Sequence, residues 1–154
     1  MKHVEDEIAS LPGRPGILFV VSSPSGGGKG TLIRRVLGPV PNLSYSISYT
    51  TRKPRSGELD GREYFFVTLE TFEAMVKANE FLEWATVHGN LYGTSSKQVS
   101  RDVAEGRDII LEVDVQGAAS VRRLVPDSVS IFILPPSLEV LRQRLITRGT
   151  DSPE

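Results

Sequence analysis

Ser22-Ser23-Pro24-Ser25-Gly26-Gly27-Gly28-Lys29-Gly30-Thr31 follows an apolar run, Ile17 to Val21, and precedes Leu32-Ile33-Arg34-Arg35-Val36-Leu37. The order reads as strand, glycine loop, helix. Consecutive glycines let the backbone take conformations closed to other residues and turn a row of N–H groups inward, onto an anion at the positive end of the helix. Lys29 supplies a point charge that can follow a transferring phosphoryl group. Against the phosphate-loop pattern G-x-x-x-x-G-K-S/T the stretch departs twice. Ser23 replaces the first glycine, and Gly30 stands where a magnesium-binding hydroxyl is expected, leaving Thr31 as the nearest substitute. A surface loop that merely happened to be glycine-rich would require neither the buried strand before it nor the lysine-headed helix after it.

At 154 residues the chain is one domain by length, large enough to bury a core without disulfides or metals. The absence of cysteine excludes a disulfide scaffold and any Cys-ligated metal, and is compatible with a reducing cytosol. Eighteen basic and 19 acidic residues give a net charge of −1, so there is no global basic field for nucleic acid or membrane and any anion site must be built locally. No apolar run approaches the roughly 20 residues of a membrane span, and the residues before Gly16 are acidic rather than signal-like. The expectation is a cytoplasmic protein with neither nucleic-acid nor membrane partners.

Residues 1–15, with Glu5, Asp6, Glu7 and the breakers Pro12, Gly13 and Pro15, read as an N-terminal extension. Ile17 to Ser22 is then the first buried strand, and Lys29 to Leu37 the first helix, stopped by Gly38-Pro39 and Pro41. This opens a parallel α/β sheet. A strand-like alternation, Leu43 to Tyr49, leads into Thr50-Thr51-Arg52-Lys53-Pro54-Arg55-Ser56-Gly57-Glu58 and Gly61-Arg62-Glu63-Tyr64-Phe65-Phe66. Arg52 and Arg55 bracket a proline that stiffens the loop, and guanidinium forks hold a phosphate dianion in fixed geometry. Taken alone, the two arginines read better as a solvated basic turn, and it is the surrounding motif that reverses this. The run S-x-S-x-T-T-R-x-P-R-x-G-E-x-x-G-x-x-Y-x-F from Ser46 to Phe66 resembles the GMP-binding signature of guanylate kinases, and the glycine loop is similar to that family's P-S-G-x-G-K.

Further along, Thr68 reads as the N-cap of a helix with Phe72, Met75 and Val76 on one face. Glu80-Phe81-Leu82-Glu83-Trp84-Ala85 and Gly89-Asn90-Leu91-Tyr92-Gly93-Thr94 resemble the family's F-x-E-W-A and G-N-x-Y-G-S/T blocks. Ser95 to Glu105 reads as an amphipathic helix closed by Gly106. Asp108 to Asp114 is an apolar strand ending in acids, where phosphate-loop proteins keep a magnesium-associated carboxylate, and Asp114-Val115-Gln116-Gly117 resembles the family's D-x-Q-G. A helix with Val121, Leu124 and Val125 inward, an apolar strand from Ser130 to Leu134, and a helix capped by Ser137 with Leu138, Leu141 and Leu145 inward complete the alternation. Arg142 to Thr150 resembles R-L-x-x-R-G-T at the base of that family's mobile lid.

The resemblance implies a phosphate-loop nucleoside monophosphate kinase fold: a parallel core sheet over residues 16–154, an inserted mixed GMP-binding subdomain at about 48–96, and a lid beginning near 142. It implies transfer of a phosphoryl group from ATP to GMP, with Mg²⁺ as cofactor. The ATP site would be Ser23, Pro24, Ser25, Gly26, Gly27, Gly28, Lys29, Gly30 and Thr31; the GMP site Ser48, Arg52, Arg55, Tyr64, Glu83, Tyr92, Thr94 and Glu112. Within these, Glu83 reads the guanine Watson–Crick edge, Ser48 and Thr94 lie near its O6, and Tyr64 and Tyr92 meet the phosphate. Lys29, Arg52, Arg55, Arg144 and Arg148 carry the catalytic charge, Thr31 and Asp114 the metal, and Glu112 lies near guanine. A scaffold-type binding module with a degraded phosphate loop is the main rival, opposed by Lys29 and its glycines; another monophosphate kinase is the second, opposed by Glu83 and Thr94. A chain ending at Glu154 stops inside the lid, and the expectation for it is GMP affinity with little turnover.

Overall fold

The apolar runs build a parallel sheet whose central strands are covered on both faces. The structure, a computed structural model, describes residues 14–148. Strands β1 (Leu18–Ser22), β2 (Leu43–Tyr45), β7 (Asp108–Glu112) and β8 (Val129–Phe132) are ordered β2-β7-β1-β8, each pair parallel. Successive side chains alternate faces. Leu18 and Val20 of β1 and Ile109 and Leu111 of β7 therefore join Val113, Val99 and Val121 on one side, whereas Val21 and Ile110 meet Ile33 on the other. Val20, Ile109 and Val121 are completely buried, worth roughly 1.5–3 kcal/mol each. Parallel strands need crossovers, and the helices supply them: α1 (Lys29–Leu37) covers one face, and α3 (Ser96–Ala104) and α4 (Val115–Leu124) the other.

Between α1 and α3 the chain builds a second sheet, ordered β4-β3-β6-β5, from β3 (Tyr49–Thr50), β4 (Phe65–Phe66), β5 (Phe81–Val87) and β6 (Asn90–Ser95). It is mixed: β3 and β4 run parallel, and β6 is antiparallel to both β3 and β5. Helix α2 (Leu69–Lys77) packs on it through Phe72, whose ring lies 4.6 Å from that of Phe81. Thr68 caps α2, accepting from the Thr71 amide, and Ser95 caps α3 in the same way through Gln98. Leu82 of β5 reaches into the main core, which ties the two sheets together.

Several expectations are corrected. The alternation from Leu43 to Tyr49 is not one strand: the Ser46 amide still donates to Ile110 of the core sheet, while the Ser48 carbonyl already accepts from Phe65 of the second. The exchange of partners across Ile47 carries the chain from one sheet to the other. The strand read from Ser130 spans Val129–Phe132 and is an exposed edge, with Ile131 and Phe132 at 42% and 52% exposure. Leu124 and Leu138 also point to solvent, although Leu141 and Leu145 of α5 (Leu138–Arg148) do turn inward, toward Gly26. No helix among the described residues is long and apolar enough to cross a membrane. The 1–15 extension up to residue 13, and the lid beyond 148, lie outside the described residues.

Candidate active site

Between β1 and α1 the loop turns on Gly28, which precedes the helix with φ of 88° and offers no capping side chain. The first amides of α1 are thus left without a side-chain partner and directed at whatever occupies the loop. Gly27 is obligatory for contact reasons: a Cβ there would stand 2.8 Å from Ser23 and 2.9 Å from the Pro24 carbonyl, which already accepts from the Gly27 amide. Ser23, in the position of the first glycine, is buried, and its hydroxyl donates to Pro24 O at 3.0 Å. Ser25 and Thr31 are exposed at the rim. A cavity of about 500 Å³ opens between Gly26, Gly28 and Thr31 on the loop and Val140, Gln143, Arg144 and Thr147 on α5. Arg144 bridges it, donating to the Gly26 carbonyl at 3.3 Å. Arg148 ends α5, and its side chain lies outside the described residues.

The arginine loop is organised by Glu58, which carried no role in the sequence reading. Its two oxygens each accept from Arg52, at 3.0 Å, and Oε2 also accepts from the Arg55 amide at 2.7 Å. Burial alone would push the Glu58 carboxyl up; the Arg52 fork and the Arg55 amide outweigh it and hold the carboxyl below the usual range. Arg52 also donates from Nη1 to Lys53 O. Of its five N–H groups, Nε–H and one on Nη2 are not taken by Glu58 or Lys53; they form the adjacent side-on edge of the fork, on which Tyr92 also acts. The guanidinium lies 5.3 Å over the Tyr64 ring, and Tyr64 meets Tyr92 edge-on at 5.8 Å. Arg55 stays exposed. Thr50 and Thr51 bolt the loop to β6 through the Leu91 carbonyl and amide.

Farther along the second sheet, Glu83 and Thr94 face each other across β5 and β6. The Thr94 hydroxyl donates to Glu83 Oε1 at 2.6 Å, and both residues are buried, as is Ser48. Burial raises the Glu83 carboxyl above its ordinary range, the Asp114 charge adds to this, and the Thr94 bond only partly offsets them. Glu83 is thus a strand residue aimed inward, whereas Trp84 beside it is 48% exposed. Gly117, at the start of α4, lets the helix approach: a Cβ there would fall 2.7 Å from Glu83 Oε2.

The two acids at and just past the end of β7, Glu112 and Asp114, exchange the surroundings expected of them. Asp114 caps α4, accepting from the Gly117 amide at 2.9 Å, and lies on the Glu83 side. Glu112 faces the glycine loop instead: its Oε1 stands 3.8 Å from Lys29 Nζ, and both its oxygens look onto the space where Gly30 lacks a side chain. The strand ends at Glu112, so the turn that follows swings Asp114 away from the loop. Tyr45 donates its hydroxyl to Glu112 Oε2 at 2.9 Å. Burial, then the Glu112 charge, pushes the Tyr64 hydroxyl up to about 12. No group of three or more metal-type side chains occurs among the described residues. One carboxylate facing a phosphate loop nevertheless fits a magnesium ion, which takes one or two protein oxygens and completes its shell with phosphate and water. Glu112, whose oxygens border Gly30, and the Thr31 hydroxyl at the cavity are the residues that would hold it.

A guanylate kinase family model matches residues 16–154. The chain is 57% identical over 139 residues to a guanylate kinase of Dechloromonas aromatica, covering 90% of this chain and 69% of that protein. It is 56% identical over 138 residues to one from Aromatoleum aromaticum, covering 90% and 68%. Among solved structures, a guanylate kinase from Anaplasma phagocytophilum superposes with a TM-score of 0.77 at 38% identity, covering 87% of this chain and 68% of that one.

Proposed function

The chain belongs to the guanylate kinase family, whose reaction moves a phosphoryl group from ATP to GMP to give ADP and GDP, and we propose how its residues divide that work. The acceptor is held by the second sheet. Glu83 accepts from N1–H and the 2-amino group of guanine, donors that adenine does not present there, while Ser48 and Thr94 donate toward O6. Asp114, brought to the Glu83 side, adds a second acceptor for the same edge. The open edge of Arg52, with Arg55, Tyr64 and Tyr92, holds the GMP phosphate. These contacts comprise the GMP-binding insertion at about 48–96.

ATP is the donor. The glycine loop, Ser23 to Thr31, cradles its phosphates with α1 amides, and Lys29 follows the γ-phosphoryl group. A GMP phosphate oxygen bonds to the γ-phosphorus as the bond to the β,γ-bridging oxygen of ATP breaks, leaving ADP. No proton need be removed from that oxygen, and the chain supplies alignment and charge neutralisation. Arg144 and Arg148 draw the lid helix over the transferring group and exclude water. Magnesium, held by Glu112 and Thr31, would neutralise the donor phosphates. The same proposal places the protein in the cytoplasm with no nucleic-acid partner, in keeping with its charge of −1 and lack of cysteine.

The observation that carries the acceptor assignment is the buried Glu83–Thr94 pair: an unneutralised carboxylate at 7% exposure is costly unless a ligand supplies donors. Calorimetry on Glu83→Gln tests it. The loss of a charge-assisted contact should weaken GMP by roughly 1.5–3 kcal/mol. An unchanged GMP affinity would remove Glu83 from the site.

A further inference from the structure

Glu112 stands 3.8 Å from Lys29, close enough to attract the ammonium but beyond hydrogen-bond reach. Its other oxygen is tied back by the Tyr45 hydroxyl at 2.9 Å. Tyr45 ends β2, and its ring packs beside the cluster of Val21, Ile33 and Ile110, so the hydroxyl is fixed by the fold rather than by the ligand. From these contacts we propose that Tyr45 is a positioning residue for the phosphate-donor site: it restrains Glu112 so that Lys29 keeps its N–H donors open to ATP.

Two carboxylate oxygens and three ammonium hydrogens at this separation would otherwise close into a direct ion pair. Both groups are about four-fifths buried, with side chains 21% exposed, so such a pair would be only weakly screened by water. ATP would then have to break it. Tyr45 supplies the competing donor on Oε2. Arg34, whose Nη1 also borders the Gly30 space, offers a second cation toward which an unrestrained Glu112 could swing. Gly30 leaves the room for either movement, because no side chain fills the gap between α1 and the carboxylate.

The inference rests on the glycine loop being the ATP site, and Lys29→Ala, measured in parallel, tests that premise separately. Tyr45→Phe keeps the ring and removes only the donor. ATP and GMP binding are measured by calorimetry in EDTA, so that no metal contributes. Tyr45→Phe should weaken ATP about tenfold, the scale of one hydrogen bond to a charged group, and leave GMP within twofold. In a Glu112→Gln background, where no carboxylate can close on Lys29, adding Tyr45→Phe should change ATP affinity little. Three results overturn the proposal: equal shifts for ATP and GMP, a lowered melting temperature with ATP affinity unchanged, or the same ATP loss in the Glu112→Gln background. If Lys29→Ala itself leaves ATP binding intact, the loop assignment fails, and the proposal fails with it.

Discussion

Replacing Gly117 with alanine should separate GMP recognition from folding. An added Cβ would lie 2.7 Å from Glu83 Oε2, 3.1 Å from Val113 Cβ and 3.2 Å from Glu83 Cδ. Relief to an ordinary contact of 3.4 Å requires the Glu83 carboxylate or the helix to move by about 0.7 Å. Glu83 cannot rotate freely, because its other oxygen is held at 2.6 Å by Thr94 inside the protein. The movement therefore either breaks that bond or shifts the carboxylate off the guanine edge. Each outcome removes about one charge-assisted hydrogen bond, roughly 1.5–3 kcal/mol, or about 10- to 150-fold in GMP affinity. Stability moves less: overpacking costs about 1–3 kcal/mol, and the gain in helix propensity at this position of α4 returns up to about 1 kcal/mol. Calorimetry with GMP and with ATP, beside a thermal melt, reads all three quantities. GMP affinity within twofold of the parent, at full stability, would refute the contact and the placement of guanine against Glu83.

Lys29→Ala should abolish turnover and ATP binding while GMP affinity holds, since the lysine serves the donor site; near-parental phosphoryl transfer would remove the loop from that role. Glu58→Gln should raise the KM for GMP about tenfold by releasing Arg52, with the KM for ATP unmoved; equal changes in both would make Glu58 a general stabiliser. Asp102, at 3% exposure, would be raised by burial but is held low by Arg107, then Ser44 and Arg101. A depressed carboxyl stabilises above its unfolded pKa of about 3.9 and loses that contribution as pH falls through the lower folded value. Asp102→Asn should therefore cost about 1.5 kcal/mol at pH 7 and progressively less below pH 4, by thermal melts; a pH-independent difference would contradict this.

What the sequence made legible is what lies contiguous in it. The glycine loop, the Arg52 and Arg55 turn and the caps at Thr68 and Ser137 depend on neighbours within a few residues, and each forms where its pattern predicts. Glu58 was within reach, six residues after Arg52 in a loop bent by Pro54 and Gly57, yet its function as a clamp emerges only once the loop closes. Glu112 and Asp114 have the same strand parity, so alternation could not separate them. The signal that does is the helix start: Asp114 three residues before Gly117 is an N-cap, which removes it from the strand. Tyr45 meets Glu112 from 67 residues away, across two parallel strands whose adjacency no local pattern encodes. Leu124 and Leu138 show the limit of periodicity, which finds an apolar face but not whether anything covers it.

In the proposed division of labour the second sheet reads guanine through Glu83 while the glycine loop takes a different nucleotide. A crystal structure of the protein with GMP measures this directly. The expected result is guanine N1 and its 2-amino nitrogen within about 3.2 Å of the Glu83 carboxylate, with the phosphate on Arg52, Arg55, Tyr64 and Tyr92. GMP bound with its phosphate in the glycine loop, or with guanine turned away from Glu83, would contradict it.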